Sequence, residues 1–344
     1  MNIENQIISI LSKDTGLSSK EVHERLASGN SYSTTKRTLA KLVNKKLVDR
    51  SGNRKSSTYS VGKSYQILHS IDPEAYFEKD IDDRRINETF NFNLIREDLF
   101  NAELFTDEER KELEELQTAY LENVAQLSGE EYDKEIERLA IDLSWKSSQI
   151  EGNTYTLLET ERLLKEKQTA SGKHKDEAVM LLNHKEAIDF IVATPDYLQK
   201  LSVRAIEDIH SILTKELGIT RNLRNRRVGI TGTNYRPLDN RFQIVEAFES
   251  MCELINQKPS VFDKSLLALV LILYIQGFVD GNKRTARIVS NAILIANNHC
   301  PISFRTVNSI AYKKAMLIFY EQNNITAFKR IFIDQFQFAV RTYF

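Results

Sequence analysis

Cysteine is nearly absent from this chain. Cys252 and Cys300 are its only two in 344 residues, too few for a disulfide framework and without metal-ligand spacing. Both are expected as buried thiols in a reducing cytosol. Proline is scarce too, and all five (Pro73, Pro195, Pro237, Pro259, Pro301) fall between segments that read as helices. Strand-like alternation is rare, so the fold class is mainly α. No apolar run is long enough to span a bilayer once its flanks are considered. The opening Met1-Asn2-Ile3-Glu4 lacks the charged and apolar regions of a signal peptide. A cytoplasmic protein with no membrane partner is expected. A net charge of −1 excludes a globally basic nucleic-acid binder.

That balance hides an asymmetry. Residues 1–65 hold 12 Lys and Arg against 5 Asp and Glu, or +7, and the remainder carries −8. The basic segment reads as a winged helix-turn-helix. Ile7, Ile8, Ile10 and Leu11 form the inner face of a helix over about 3–13, and Ser18 or Ser19 caps a second one. A third helix over 33–46 sets Lys36, Arg37, Lys41, Lys45 and Lys46 opposite Leu39, Leu42 and Val43. Residues 47–61 then read as strand, turn (Ser51-Gly52-Asn53-Arg54) and strand. In such modules the third helix enters the major groove of duplex DNA and the wing touches the backbone. A protein-docking winged helix with a merely solvated basic face stays open beside this.

Residues 66–129 read as a helical linker region, with Asp107-Glu108-Glu109 opening a helix favourably for its dipole. Lys79 to Arg85 reads as a mixed-charge linker without chemistry. Residues 130–344 form the main domain. At its heart Ser265 to Ile275 is almost unbrokenly apolar, as a helix buried on all sides would be. A second helix over 285–298 follows a short polar loop, Asp280 to Lys283. A helix N-terminus offers unpaired N–H groups and partial positive charge. Arg284 and Arg287 share one face of its first turn. Two arginines there are unfavourable unless an anion joins them, which suggests a ligand.

Gln276-Gly277-Phe278-Val279-Asp280-Gly281-Asn282-Lys283-Arg284-Thr285-Ala286-Arg287 resembles the motif of the Fic (filamentation induced by cAMP) family, His-x-Phe-x-Asp/Glu-Gly-Asn-Gly/Lys-Arg-x-x-Arg. Seven positions match. Gln276 stands where the family carries its catalytic histidine. Ser147, Glu151 and Gly152 match the family's inhibitory helix motif, Ser/Thr-x-x-x-Glu-Gly/Asn, and the resemblance makes Arg287 the partner of Glu151. The segment Asn183 to Ile188 looks like family scaffold, with His184 structural. Residues 225–237 fall where the family has its flap, a small β-hairpin over the nucleotide, here with Ile230, Thr231, Gly232 and Tyr235. A free strand edge there can take a target chain as an added strand.

The resemblance implies transfer of AMP from ATP to a hydroxyl of a target protein or of the chain itself. Asp280 would hold Mg²⁺, and the N–H groups of Gly281, Asn282 and Lys283 would cradle the α/β phosphates. Arg284 would bind the outer phosphates, and Arg287 the γ-phosphate unless Glu151 occupies it. Gln276, Asn282 and Arg284 would be the catalytic set. Glutamine cannot accept a proton at neutral pH, so a nucleotide-binding regulator acting through the winged helix is a second reading. Lys283 also occurs in the related Doc toxins, which phosphorylate, and this makes a phosphotransferase the third. A homodimer is left open.

Overall fold

The structure, a computed structural model, describes residues 3–26, 29–53 and 56–344. The N-terminal module is a winged helix. It runs α1 (Ile3–Lys13), β1 (Leu17–Ser18), α2 (Ser19–Arg25), α3 (Tyr32–Asn44), β2 (Val48–Ser51) and β3 (Thr58–Val61), the strands antiparallel in the order β1-β3-β2. Ser18 is the cap of α2: its hydroxyl accepts from Glu21 N–H while the Glu21 carboxylate accepts from Ser18 N–H. β1 went unforeseen because two residues are too few to alternate. Ile7, Leu11, Val22, Leu39, Leu42 and Val48 make a core separate from that of the main body. Arg54, expected in the wing turn, lies outside the described residues.

The basic face of α3 is divided. Lys41 and Lys45 reach Glu4 at 2.8 and 3.6 Å, and Lys46 reaches Glu103 at 2.8 Å. Lys36 sits 4.7 Å over the Tyr32 ring. In the half of α3 near its N-terminus, Lys36 and Arg37 have no carboxylate partner among the described residues.

Residues beyond the wing do more than link. α4 (Lys63–Leu68), α5 (Pro73–Phe77), a π-helical turn over Leu94–Asp98, α6 (Leu99–Asn101) and α7 (Asp107–Val124) follow. Ile67, Leu94, Leu99, Leu104, Leu113 and Tyr120 are buried in the main core. The expected linker is thus a layer of the main body, because its apolar residues have a hydrophobic partner surface that sequence periodicity could not locate. Lys79 to Arg85 differs most from its expected role. Arg84 is buried, paired with Glu321 at 3.2 Å, and donates to the Gly232 carbonyl at 2.9 Å.

The main body then adds α8 (Gly129–Ile150), α9 (Leu157–Glu166), α10 (Lys175–Ala193), α11 (Val203–Leu213), α12 (Arg241–Gln257), α13 (Val261–Ile275), α14 (Asn282–Ala296), α15 (Ser309–Gln322) and α16 (Thr326–Tyr343). α13 is apolar all round and lies at the centre, with every side chain from Ser265 to Ile275 fully buried. α14 begins three residues before the expected Thr285, because Gly281 (φ +85°) turns the chain straight into the helix.

The flap has its turn at Thr231-Gly232, but its two arms form no ladder with each other. The second arm is committed elsewhere. Tyr235 is buried and donates to Tyr274 O at 3.0 Å, and Arg236 N–H donates to Glu88 O at 2.8 Å beside a bridge between Thr89 and Arg236. An expected β-hairpin is thereby replaced by a loop whose inner arm pairs with residues 88–89. The backbone of residues 227–231 makes no hydrogen bond among the described residues.

Candidate active site

The site is the junction of α13 and α14. Gln276 closes α13 in the left-handed region (φ +51°). Arg224 holds the following turn: its Nε donates to Gln276 O at 2.6 Å and its N–H to Gly277 O at 2.9 Å. A Cβ at Gly277 would lie 2.1 Å from the Phe248 ring, so glycine is required by close approach. Asn282 then locks the loop, accepting from Phe278 N–H (2.9 Å) and donating to Phe278 O (2.8 Å). Its side chain thus clamps the loop, while the residue also lines the cavity.

The unpartnered N–H groups at the start of α14 are shifted by one residue from the set the resemblance implies. Gly281 N–H is already taken by Asp280 Oδ1 at 2.6 Å. The N–H groups of Asn282, Lys283 and Arg284 have no partner among the described residues, the first helical bond being Thr285 N–H to Gly281 O at 2.9 Å. Beneath them Arg284 is buried, donating to Leu213 O (3.3 Å) and Asp280 Oδ2 (3.4 Å). His210 packs under the loop, stacked 3.7 Å from Phe278.

Gln276 and residues 279–284 line a cavity of about 300 Å³, closed by Glu151, by Gly229, Ile230 and Thr231 of the flap, and by Lys313, Met316 and Tyr320 of α15. The α15 residues were missed by sequence reading. Their spacing puts them on one helical face, but nothing local marks that face as a pocket wall. Of the expected flap residues, Ile230 and Thr231 reach the cavity, whereas Gly232 and Tyr235 anchor the loop behind it.

Gln276 is oriented by its neighbours. Its Nε2 lies 2.8 Å from Leu273 O and 3.0 Å from Tyr320 Oη. A carbonyl only accepts, so the amide NH₂ must face Leu273, and Oε1 is left as the free acceptor. Gln276 can hold a hydroxyl proton but not remove it.

The segment that the resemblance marks as inhibitory meets the cations of α14. Glu151 caps α8. Its Oε1 accepts from Arg287 Nη2 at 2.9 Å, as expected, and its Oε2 accepts from Lys283 Nζ at 2.9 Å, which was not foreseen. Burial alone would raise the Glu151 carboxyl, but Arg287 and Lys283 outweigh it and hold it below the ordinary value of 4.5. Ser147 Oγ and O both accept from Arg287, at 2.7 and 2.9 Å. Ser147 Oγ also lies 2.6 Å from His184 Nε2. Arg287 is fully enclosed, 5.5 Å over the Tyr312 ring, and does not line the cavity.

His184 therefore has a structural task, holding the serine that binds Arg287. Burial first, then Arg287 and Arg284, press its pKa well below 6.5. A depressed histidine contributes stability that is complete above the unfolded value and declines as pH falls below it. Stability should drop by about 1.4 kcal/mol per pH unit below 6.5 on account of His184. Denaturant unfolding of wild type and His184→Asn at pH 7.5 and 5.5 would show it as a steeper pH dependence in wild type. Equal slopes would mean that His184 charges at no cost in the fold.

Residues 200–294 match the family model described as Fic/DOC family, and residues 2–92 match the one described as penicillinase repressor. The protein adenylyltransferase Fic of Nematostella vectensis is 30% identical over 169 residues, which is 47% of this chain and 39% of that relative. The chain thus spans about two fifths of its length. Among solved structures, Fic-1 from C. elegans superposes with a TM-score of 0.61 at 16% identity, covering 68% of this chain and 71% of that one. A Fic family protein from Desulfovibrio desulfuricans G20 gives 0.57 at 18%, covering 69% and 74%. A Fic domain containing signaling protein from Bacteroides thetaiotaomicron gives 0.54 at 18%, covering 67% and 93%. Residues 200–294 are thus similar to the Fic/DOC family, and the chain has the mainly helical fold of these Fic proteins, preceded by a winged helix.

Proposed function

We propose that the cavity at the α13–α14 junction binds ATP and transfers AMP to a hydroxyl of a target protein or of the chain itself, and that Glu151 holds this activity off. The observation that carries the reading is the start of α14: three unpartnered N–H groups and buried Arg284 face one cavity, and a carboxylate from α8 occupies the adjoining Lys283 and Arg287. Nucleotidyl transfer needs phosphate charge neutralised and nucleophile placed in line, and this arrangement supplies the first. The acceptor oxygen would bond to the α-phosphorus as the bond to the β-phosphate oxygen breaks and pyrophosphate leaves, with the hydroxyl proton passing to solvent because Gln276 cannot take it. The unpaired backbone at residues 227–231 supports strand-like docking of the acceptor segment over the cavity.

A divalent cation fits only in part. Asp280 is 64% exposed on the cavity wall, and no cluster of three or more His, Cys, Asp or Glu side chains suited to a metal occurs among the described residues. One carboxylate plus substrate phosphates is the usual setting for Mg²⁺, so Asp280 would hold it and it would supply charge neutralisation.

Gln276 favours a second reading, a nucleotide-binding regulator, because no proton acceptor stands at its position. ATP labelled at the α- or the γ-phosphate, incubated in parallel with the Glu151→Gly chain, separates the cases. Label from α alone supports adenylyl transfer, label from γ alone a Doc-like phosphotransferase. Binding without transfer supports the regulator.

The winged helix is proposed to bind duplex DNA through Lys36 and Arg37, the cations of α3 that Glu4 and Glu103 leave alone. Changing both to Glu should weaken binding about tenfold or more and flatten its salt dependence, since about two phosphate contacts are lost. An unchanged salt slope in a binding titration would shift the interface away from α3.

A further inference from the structure

The segment between the winged helix and α6 touches the flap and the end of α15, although no part of the proposed chemistry requires it. Arg84 and Glu321 are 5% and 0% exposed at their side chains. Glu321 also accepts from Tyr76 Oη at 2.7 Å, and its carbonyl accepts from Asn87 N–H at 2.8 Å. Glu321 follows Tyr320, the wall residue that orients Gln276. From the same guanidinium a second arm donates to Gly232 O, in the turn of the flap. Glu88 O and carboxylate then bind Arg236 at the end of the inner flap arm, at 2.8 and 2.6 Å.

A buried ion pair is expensive to desolvate and is a poor source of net stability. What it fixes is geometry. Here it joins three things far apart in sequence: the strap, the flap turn and the end of α15. The flap has no ladder of its own, so its position has to come from outside it, and Arg84 is the one buried cation that reaches its turn among the described residues. We propose that residues 76–92 form a strap that positions the flap, and that Arg84 is the positioning residue through which the flap turn is set against α15. This rests on the proposed reading only where acceptor transfer is measured; the flap's own order is independent of it.

The experiment compares the full-length chain with Arg84→Lys, Arg84→Met and the double change Arg84→Met with Glu321→Gln. The double change removes the carboxylate that Arg84→Met would leave buried and unpaired, and so keeps the test valid should the single variant misfold. Amide hydrogen exchange at Tyr235 and Arg236, the hydrogen-bonded amides of the flap's inner arm, is the first readout. The expected result is exchange at least tenfold faster in the folded double variant, with Arg84→Lys intermediate and the exchange of α13 unchanged. ATP affinity by calorimetry should stay within about twofold, because Arg84 does not line the cavity. In a Glu151→Gly, Gln276→His background, transfer should fall at least tenfold, with Arg84→Lys restoring part of it. Wild-type flap exchange in the double variant overturns the strap. Loosened flap exchange with no transfer from any background supports the strap and counts against the transferase reading instead.

Discussion

Replacing Gln276 by His in a Glu151→Gly chain should raise AMP transfer about 10²–10⁴-fold, the usual contribution of general-base assistance. The other parts of the site are in place: three free N–H groups at the start of α14, Arg284 beneath them, and Asp280 on the wall. What the wild-type side chain lacks is a basic atom. Both N–H groups of the Gln276 amide are engaged, by Leu273 O and Tyr320 Oη, which leaves a neutral oxygen facing any acceptor hydroxyl. An imidazole with an ordinary pKa near 6.5 is mostly neutral at pH 7.5 and can take the proton as the oxygen attacks. The gain belongs in turnover, with nucleotide affinity changed little, because the base acts in the transition state. Intact mass after incubation with ATP gives the answer directly. Additions of one AMP support the reading, and additions of one phosphate favour Doc-like chemistry. A variant that binds ATP yet modifies neither itself nor any protein in a lysate points to the regulator.

Glu151→Gly alone should tighten ATP binding about 10–100-fold. On the proposed reading, two charge-assisted contacts would compete with the nucleotide in wild type, Arg287 and Lys283 to the one carboxylate. Releasing them returns interactions worth about 1.5–3 kcal/mol to the ligand phosphates. Lys283→Ala should have a smaller effect of either sign, since it frees half of the Glu151 carboxylate but removes a phosphate partner. The wild-type restraint should not respond to pH near neutrality. Because the Glu151 pKa is depressed, its ionic contribution is complete above 4.5 and is lost only as pH falls through the lower folded value. Calorimetry at pH 6 and 8 should give the same ratio of affinities between variant and wild type. Equal affinities for the two proteins would mean that ATP does not call on Arg287 or Lys283.

Local signals proved strong where residues close in sequence do the work. Ser18 with Glu21, and Thr106 with Glu109, are capping boxes readable from spacing. The unbroken apolar run of α13 announces a central helix, and Gly281 before Asn282 marks a turn into the start of α14. The pairing of Glu151 with Arg287, given by family resemblance, lies 136 residues apart and stands at 2.9 Å. Lys283 as a second partner of Glu151 was not legible, since Nζ sits at the end of a flexible chain that reaches several neighbours. The clamp made by the Asn282 amide was not legible for a related reason: it could face a ligand or its own loop, and only the packed loop shows the contact with Phe278.

The sequence by itself determined a mainly α chain, a basic winged helix ahead of it, and a polar helix start with the cations an anion requires. Each of these is a property of residues within a few turns of one another, where periodicity, caps and charge act directly. Tertiary structure alone decided that residues 66–129 belong to the main core, that α15 walls the cavity, and that the flap is held by Arg84 and Glu88 in place of a ladder of its own. Those contacts join positions up to about 240 residues apart. Which apolar face or buried charge meets which depends on how whole helices pack, and no local pattern encodes that choice.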